Sequence, residues 1–162
     1  MIQRIQSLFL LVAAVIPIVL LFIPMGYVDT ADAQYVYNSL VLKLNIPDGT
    51  AAIRLYYVAF CLVLTTALSL VALFSYKKRV RQVQIVSITM IVYLITLMLM
   101  LWVCPDIIFT KYFSARSVDF TFTFANKTLM LILVFVEAIC LFLANKFIKK
   151  DEKLVRAADR LR

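Results

Sequence analysis

Histidine is absent from this sequence of 162 residues. That one absence removes the usual general base, the commonest metal ligand and the side chain that titrates near neutral pH. Glycine occurs twice and proline four times, too few for the glycine-rich loops that cradle phosphates. The three cysteines, Cys61, Cys104 and Cys140, form no Cys-x-x-Cys pair and read as small apolar packing residues. Charge is also scarce. Asp, Glu, Lys and Arg make up 16% of the chain, against about 25% in a soluble domain. What is abundant is apolar: 64% of residues, where a soluble domain carries roughly 45–50%. Such a chain cannot cover an apolar core with a polar surface. Soluble globular, disordered and collagen-like classes are excluded, and a single integral membrane domain over residues 1–162 is expected.

The charges that remain divide the chain. Ile5 to Val28, Leu55 to Tyr76 and Gln82 to Pro105 carry none, and Thr128 to Asn145 carries only Glu137. Crossing a bilayer core takes about 20 apolar residues, so the runs predict helices near 6–26, 53–77, 81–104 and 122–148. The first could pass for a secretory signal, with Arg4 at its start and Ala31-Asp32-Ala33 resembling a cleavage site. It is too long, and the site lies too far beyond it, so a retained helix is expected. Pro17 should kink that helix and free the carbonyl of Ala13.

Basic residues set the orientation. The N-terminal tip, the connection Lys77-Lys78-Arg79-Val80-Arg81 and the segment after Asn145 together hold 12 of the 17 Lys and Arg; the two opposite loops hold 5. The positive-inside rule then places both termini in the cytoplasm. The tail, 149–162, contains neither proline nor glycine and is expected to continue as helix. In the two outward loops, Leu40, Leu42, Leu44 and Ile46 alternate with other residues, as do Val118, Phe120, Phe122 and Phe124. This is the period of half-buried strands. Two readings stay open: a small β cap on the outer face, or Phe120–Phe124 as the aromatic opening of the fourth helix. The fold class expected is therefore an all-α membrane protein, a four-transmembrane-helix bundle, with or without that cap.

Three segments carry a resemblance: Met1-Ile2-Gln3-Arg4-Ile5-Gln6-Ser7-Leu8, the hairpin Phe74-Ser75-Tyr76-Lys77-Lys78-Arg79-Val80-Arg81-Gln82, and the ending Lys149-Lys150-Asp151-Glu152-Lys153-Leu154-Val155-Arg156-Ala157-Ala158-Asp159-Arg160-Leu161-Arg162. Together they resemble a family of small four-helix inner-membrane proteins of Gram-negative bacteria, catalogued as a domain of unknown function. The resemblance implies a topology and an inner-membrane location, and brings no catalytic residue.

Glu137 is the one anomaly in the apolar runs. At 1.5 Å per residue it lies roughly 15 Å from Lys127 and about 13 Å from Lys146 along a helix, near the bilayer midplane. A carboxyl there is costly and marks a candidate site. No cation lies in any span to pair with it, so it is expected to be the uncharged acid, bonded to a hydroxyl at its depth: Thr65, Thr66, Thr89, Tyr93 or Thr96. The Glu137 side chain should point into the bundle, sharing a face with Leu133, Val134, Cys140 and Leu141, with Leu131, Phe135 and Phe142 on the opposite stripe toward lipid or another subunit. Glu137, Tyr93, Thr65 and Thr66 form the candidate polar site. Lys77, Lys78, Arg79, Arg81, Lys149, Lys150, Arg156 and Arg160 form a candidate basic surface for anionic lipid or a protein partner. No cofactor, metal, catalytic residue or nucleic-acid partner is expected. These features favour a non-enzymatic accessory, assembly or scaffold component, as a homo-oligomer or with a protein partner. A small transporter or channel subunit using Glu137 is the alternative.

Overall fold

Proline and glycine, rare as they are, decide where the first helix stops. In the computed structural model, which describes residues 2–45, 51–114, 119–125 and 127–160, helix α1 runs Ile2–Phe22. Pro24 disfavours helical geometry in the residue before it. The Ser39 hydroxyl donates to the Leu20 carbonyl at 2.8 Å, occupying an acceptor the helix end leaves free. The chain then forms β1 (Gly26–Thr30), β2 (Gln34–Tyr37), β3 (Val41–Leu44) and β4 (Ala51–Arg54) before α2 (Tyr56–Phe74). A single 3-10 turn leads into α3 (Arg79–Met98). That helix loosens into a π-helical stretch over Leu99–Phe109 and closes as α4 (Thr110–Ser114). Pro105 lies inside the π-helical stretch, where it cannot donate to the turn before it. After β5 (Phe120–Phe124) comes α5 (Lys127–Arg160).

Among the described residues, four helices are long and apolar enough to cross a membrane, with candidate spans Ile5–Phe22, Tyr56–Phe74, Arg79–Ser114 and Thr128–Val155. The expected boundaries shift at the sheet end. Residues 23–26, 53–55 and 122–124, expected as helix, are given up to loop and strand, because backbone pairing between the loops satisfies their polar groups there. The third helix instead overruns its expected end at 104 and reaches Ser114. The tail does continue as helix, to Arg160.

The cap is present and larger than two loops suggested. It is one antiparallel sheet in the order β4-β3-β2-β1-β5. Ala31-Asp32-Ala33 is the β1–β2 turn, closed by Thr30, whose backbone N–H and hydroxyl both donate to the Ala33 carbonyl. β5 arrives from the far side of the sequence and pairs with β1, Gly26 opposite Phe124 and Thr30 opposite Phe120. Val28, Tyr37 and Leu42 are buried with Leu20, Val58, Met100 and Phe109 in one core joining sheet to helix ends. Tyr37 and Phe109 meet edge to face, centroids 5.1 Å apart. Burial, with Cys104 beside it, holds the Tyr37 phenol above the usual tyrosine range. Gly26 is required where β1 meets β5. A Cβ there would stand 2.6 Å from the Phe122 ring and 2.9 Å from the Thr123 carbonyl oxygen. Gly26→Ala is expected to cost about 1–3 kcal/mol, as overpacking does, read as a lower unfolding midpoint in detergent; an unchanged midpoint would mean the β1–β5 contact is looser than drawn.

The helices share one packing rule. Their buried residues repeat at alternating steps of four and three: Gln6, Leu10, Ala13, Pro17 and Leu20 on α1; Val58, Leu62, Thr65, Ser69 and Ala72 on α2; Gln82, Val86, Thr89, Tyr93 and Thr96 on α3; Met130, Val134, Glu137, Leu141, Ala144, Ile148 and Asp151 on α5. This is the heptad seam of helices packed at shallow left-handed angles. α1 packs on α2 and α5, and α3 packs on α2 and α5, so the four close a ring. Both glycines, Gly26 and Gly49, lie outside the spans. Close approach rests instead on Ala13, Ala14, Ala59, Ala72 and Ala144.

Candidate functional site

Glu137 sits on the α5 seam, so the heptad that buries Val134 and Leu141 also turns its carboxyl inward. It is 0% exposed. Val134, Cys140 and Leu141 are buried with it and Leu133 is half-buried, while Leu131, Phe135 and Phe142 on the opposite stripe are exposed, as the expected helix face requires.

The expected hydroxyl partners turn elsewhere. Thr65 donates to the Cys61 carbonyl at 2.8 Å and Thr66 to the Leu62 carbonyl at 3.1 Å. Thr89 and Thr96 donate to the Ile85 and Val92 carbonyls, both at 2.8 Å. The reason is local: a helical threonine finds the carbonyl four residues back without any cost in helix–helix geometry. Tyr93 is too long for that and crosses to α5, where its hydroxyl donates to the Val134 carbonyl at 2.6 Å. Tyr93 and Cys140 lie within electrostatic reach of the Glu137 carboxyl, yet neither Glu137 oxygen has a hydrogen-bond partner among the described residues. Tyr93 is thus brought to Glu137; Thr65 and Thr66 are not bonded to it. Two further buried oxygens on the helices, Ser69 Oγ and Asn145 Oδ1, also lack a partner. The Asn145 amide nitrogen reaches Ser87 Oγ at 3.4 Å.

The expected basic surface is divided. Lys78, Arg81, Lys149 and Lys150 are exposed. The side chains of Lys77, Arg156 and Arg160 lie outside the described residues. Arg79 is not a surface cation: its guanidinium lies 2.9 Å from Asp151 Oδ2. The Gln6 side-chain amide donates to the same oxygen at 2.7 Å. One carboxylate therefore holds α1, the α2–α3 turn and α5 together at the end of the bundle that carries both termini. Gln82 adds a bond from its side-chain amide to the Ala72 carbonyl at 3.0 Å. The clasp is built from one residue of each segment that carries the family resemblance. Gln6, Gln82 and Asp151 were not singled out from the sequence. Their signal was their seam spacing, since a polar residue on a heptad seam has no water to face.

Among the described residues, no group of His, Cys, Asp and Glu could hold a metal ion. An apolar crevice between the π-helical stretch and α5 is lined by Leu101, Phe124, Met130, Leu131 and Val134; it offers packing surface and no polar anchor. Compared with known proteins, residues 2–161 match the family model DUF4293, described as a domain of unknown function. No curated protein and no solved structure matches the chain.

Proposed function

Because the chain belongs to the DUF4293 family, a domain of unknown function, we propose a role from its geometry alone: a non-enzymatic accessory or scaffold component of a membrane assembly. The observation that carries this reading is the Gln6–Asp151–Arg79 clasp. It fixes α5 to the bundle at the point where the helix leaves it. α5 has 34 residues, about 51 Å at 1.5 Å per residue, while a bilayer core needs roughly 30 Å. The turns after Asp151 project as a helix whose base is held, with Leu154 and Val155 exposed. A helix held this way presents side chains to a protein partner or a second copy of the chain. A helix lying flat along the leaflet would need a break at the clasp. Anionic lipid headgroups fit Lys78, Arg81, Lys149 and Lys150 nearer the membrane. The excess of basic residues at this end supports cytoplasmic termini, and the sequence resemblance supports a bacterial inner membrane.

A photo-reactive side chain at Leu154, activated in intact cells, tests the reading. The expected result is a protein adduct of one discrete mass, absent when the group is placed at lipid-facing Phe135. Adducts to lipid alone would overturn it. The transporter alternative draws on one observation, the unpartnered carboxyl of Glu137. Glu137→Gln decides it: loss of a pH-driven flux in proteoliposomes at unchanged stability favours transport.

A further inference from the structure

The two edges of the sheet are built differently. At the β4 edge, Leu42 pairs with Ile53 and Lys43 with Ala51, which leaves Ala52 as an extra residue, and the strand ends in Arg54. A bulge and a cation are devices that keep an edge from pairing further. The β5 edge has neither. Phe120–Phe124 carries no charge and no proline, and pairs with β1 in unbroken register over all five residues. The bond from the Ala125 N–H to the Met25 carbonyl fixes which backbone groups are used. Thr121 and Thr123 turn theirs to β1, and Phe120, Phe122 and Phe124 turn theirs to the open side. Among the described residues, no other strand pairs on that side and no backbone group bonds to it.

Geometry and charge decide what fits there. Phe120 packs on Phe113 and Phe122 on Phe109, with ring centroids 5.0 and 5.9 Å apart. Two residues of strand advance about 6.8 Å and four of helix about 6 Å, so β5 stands alongside the prolonged third helix and runs along its axis. A second copy in the same membrane shares that axis and its direction. Its β5 would arrive parallel, with its threonine face turned to this chain's phenylalanine face, so self-pairing does not continue the sheet. At the Phe120 end, the open edge meets a shallow pocket lined by Asp29, Thr30, Ala31, Asp119, Phe120 and Thr121. Residues 26–37 and 119–125 contain Asp29, Asp32 and Asp119 and no Lys or Arg. Neither Asp29 nor Asp119 forms an ion pair among the described residues. The charge that complements this corner is positive.

We propose that the open edge of β5 is an interaction surface that takes an extended segment of a partner protein as an antiparallel sixth strand, with basic residues at the segment's C-terminal end set against Asp119 and Asp29. Backbone bonds to Phe120, Phe122 and Phe124 supply the affinity, as strand addition does elsewhere. Thr121 and Thr123 continue as the exposed face, and the acidic corner sets direction and register. This surface lies at the end of the bundle away from both termini. It is therefore independent of the scaffold reading and holds whether or not Leu154 meets a partner.

Residue-resolved amide exchange of the full chain, one copy per lipid nanodisc, tests it with two synthetic peptides: Val-Thr-Val-Thr-Val-Lys-Lys and its reverse, Lys-Lys-Val-Thr-Val-Thr-Val. In the free chain the Phe120 and Phe122 amides should exchange fast and the Thr121 and Thr123 amides slowly. The first peptide at saturation should slow the two phenylalanine amides by about tenfold. The reversed peptide, and the first peptide N-methylated on the residues that face β5, should leave them unchanged. Asp119→Asn, at an exposed position, should weaken binding severalfold, and added salt should do the same. No protection by the first peptide at about 1 mM, where a millimolar site is half filled, would overturn the proposal. Slow phenylalanine amides in the free chain would also overturn it, since the chain would then cover its own edge. Protection without peptide when two copies share a disc would replace it with self-pairing. Equal protection by the reversed peptide would overturn the role of the acidic corner.

Discussion

Asp151→Ala is expected to lower the stability of the bundle by about 2–3 kcal/mol. Removing one member of a buried charged pair costs roughly 3–5 kcal/mol, because the other charge is left without its partner. Here the Arg79 side chain keeps 22% exposure, so solvent screening reduces that figure. The Gln6 amide, 5% exposed, loses its acceptor as well, and an unmade buried hydrogen bond adds its own desolvation cost. The loss should be local before it is global. Amide exchange over the last turns of α5 should accelerate in the variant before exchange near Leu141 changes. Replacing Arg79 and Asp151 together with leucine should recover much of the loss, since an apolar pair of similar size is often no worse than a buried ion pair. Unfolding midpoints and exchange in detergent for the two single variants and the double variant check this. An Asp151→Ala protein as stable as the native one, with an equally protected tail, would mean that α5 is not clasped in the membrane-bound state.

Glu137→Leu is expected to act in the opposite direction and to raise stability by about 1–2 kcal/mol, because replacing an unpaired buried polar group with an apolar one of similar shape removes a desolvation penalty. The seam position already accepts leucine one heptad step away, at Leu141. Glu137→Ala should instead destabilise by about 2–4 kcal/mol through the space it leaves. Opposite signs from two substitutions at one site separate chemistry from volume. A destabilised leucine variant would show that the carboxyl has a strong bonding partner in the membrane.

The spans were legible in the sequence because a bilayer imposes a length on every apolar run, and four such runs, three of them uncharged and one holding only Glu137, stand between charges. The inward face of Glu137 was legible for the same reason: hydrocarbon tolerates an acid only when it is turned away. The boundaries at the sheet end were less legible. Gly26 and Phe122–Phe124 continue apolar runs and read as the ends of the helices next to them. What makes them strands is their pairing with each other, which no local window contains. Leu42 and Phe122 did show the period of two, and both became strand residues. The partners of Glu137 were misjudged because depth alone does not decide a hydrogen bond. Thr65 and Thr89 prefer a carbonyl on their own helix. Gln6 and Asp151 were missed and Arg79 was read as surface charge, because each lies near a helix end whose polar neighbours read as solvent-facing until the seam spacing is counted through it.

The pairing of β1 with β5 sets a timetable for the ribosome. About 90 residues separate Thr30 from Phe120, and chains grow at roughly 5–20 residues per second. For about 5–18 seconds after β1 emerges, its outer edge has no neighbour, while two more helices are still being delivered to the bilayer. An unpaired strand edge is a template for the wrong partner, including β1 of another nascent copy. Gly26, Tyr27 and Val28 are the residues at risk in that interval. Biogenesis of this protein therefore depends on how quickly its second and third membrane helices are inserted.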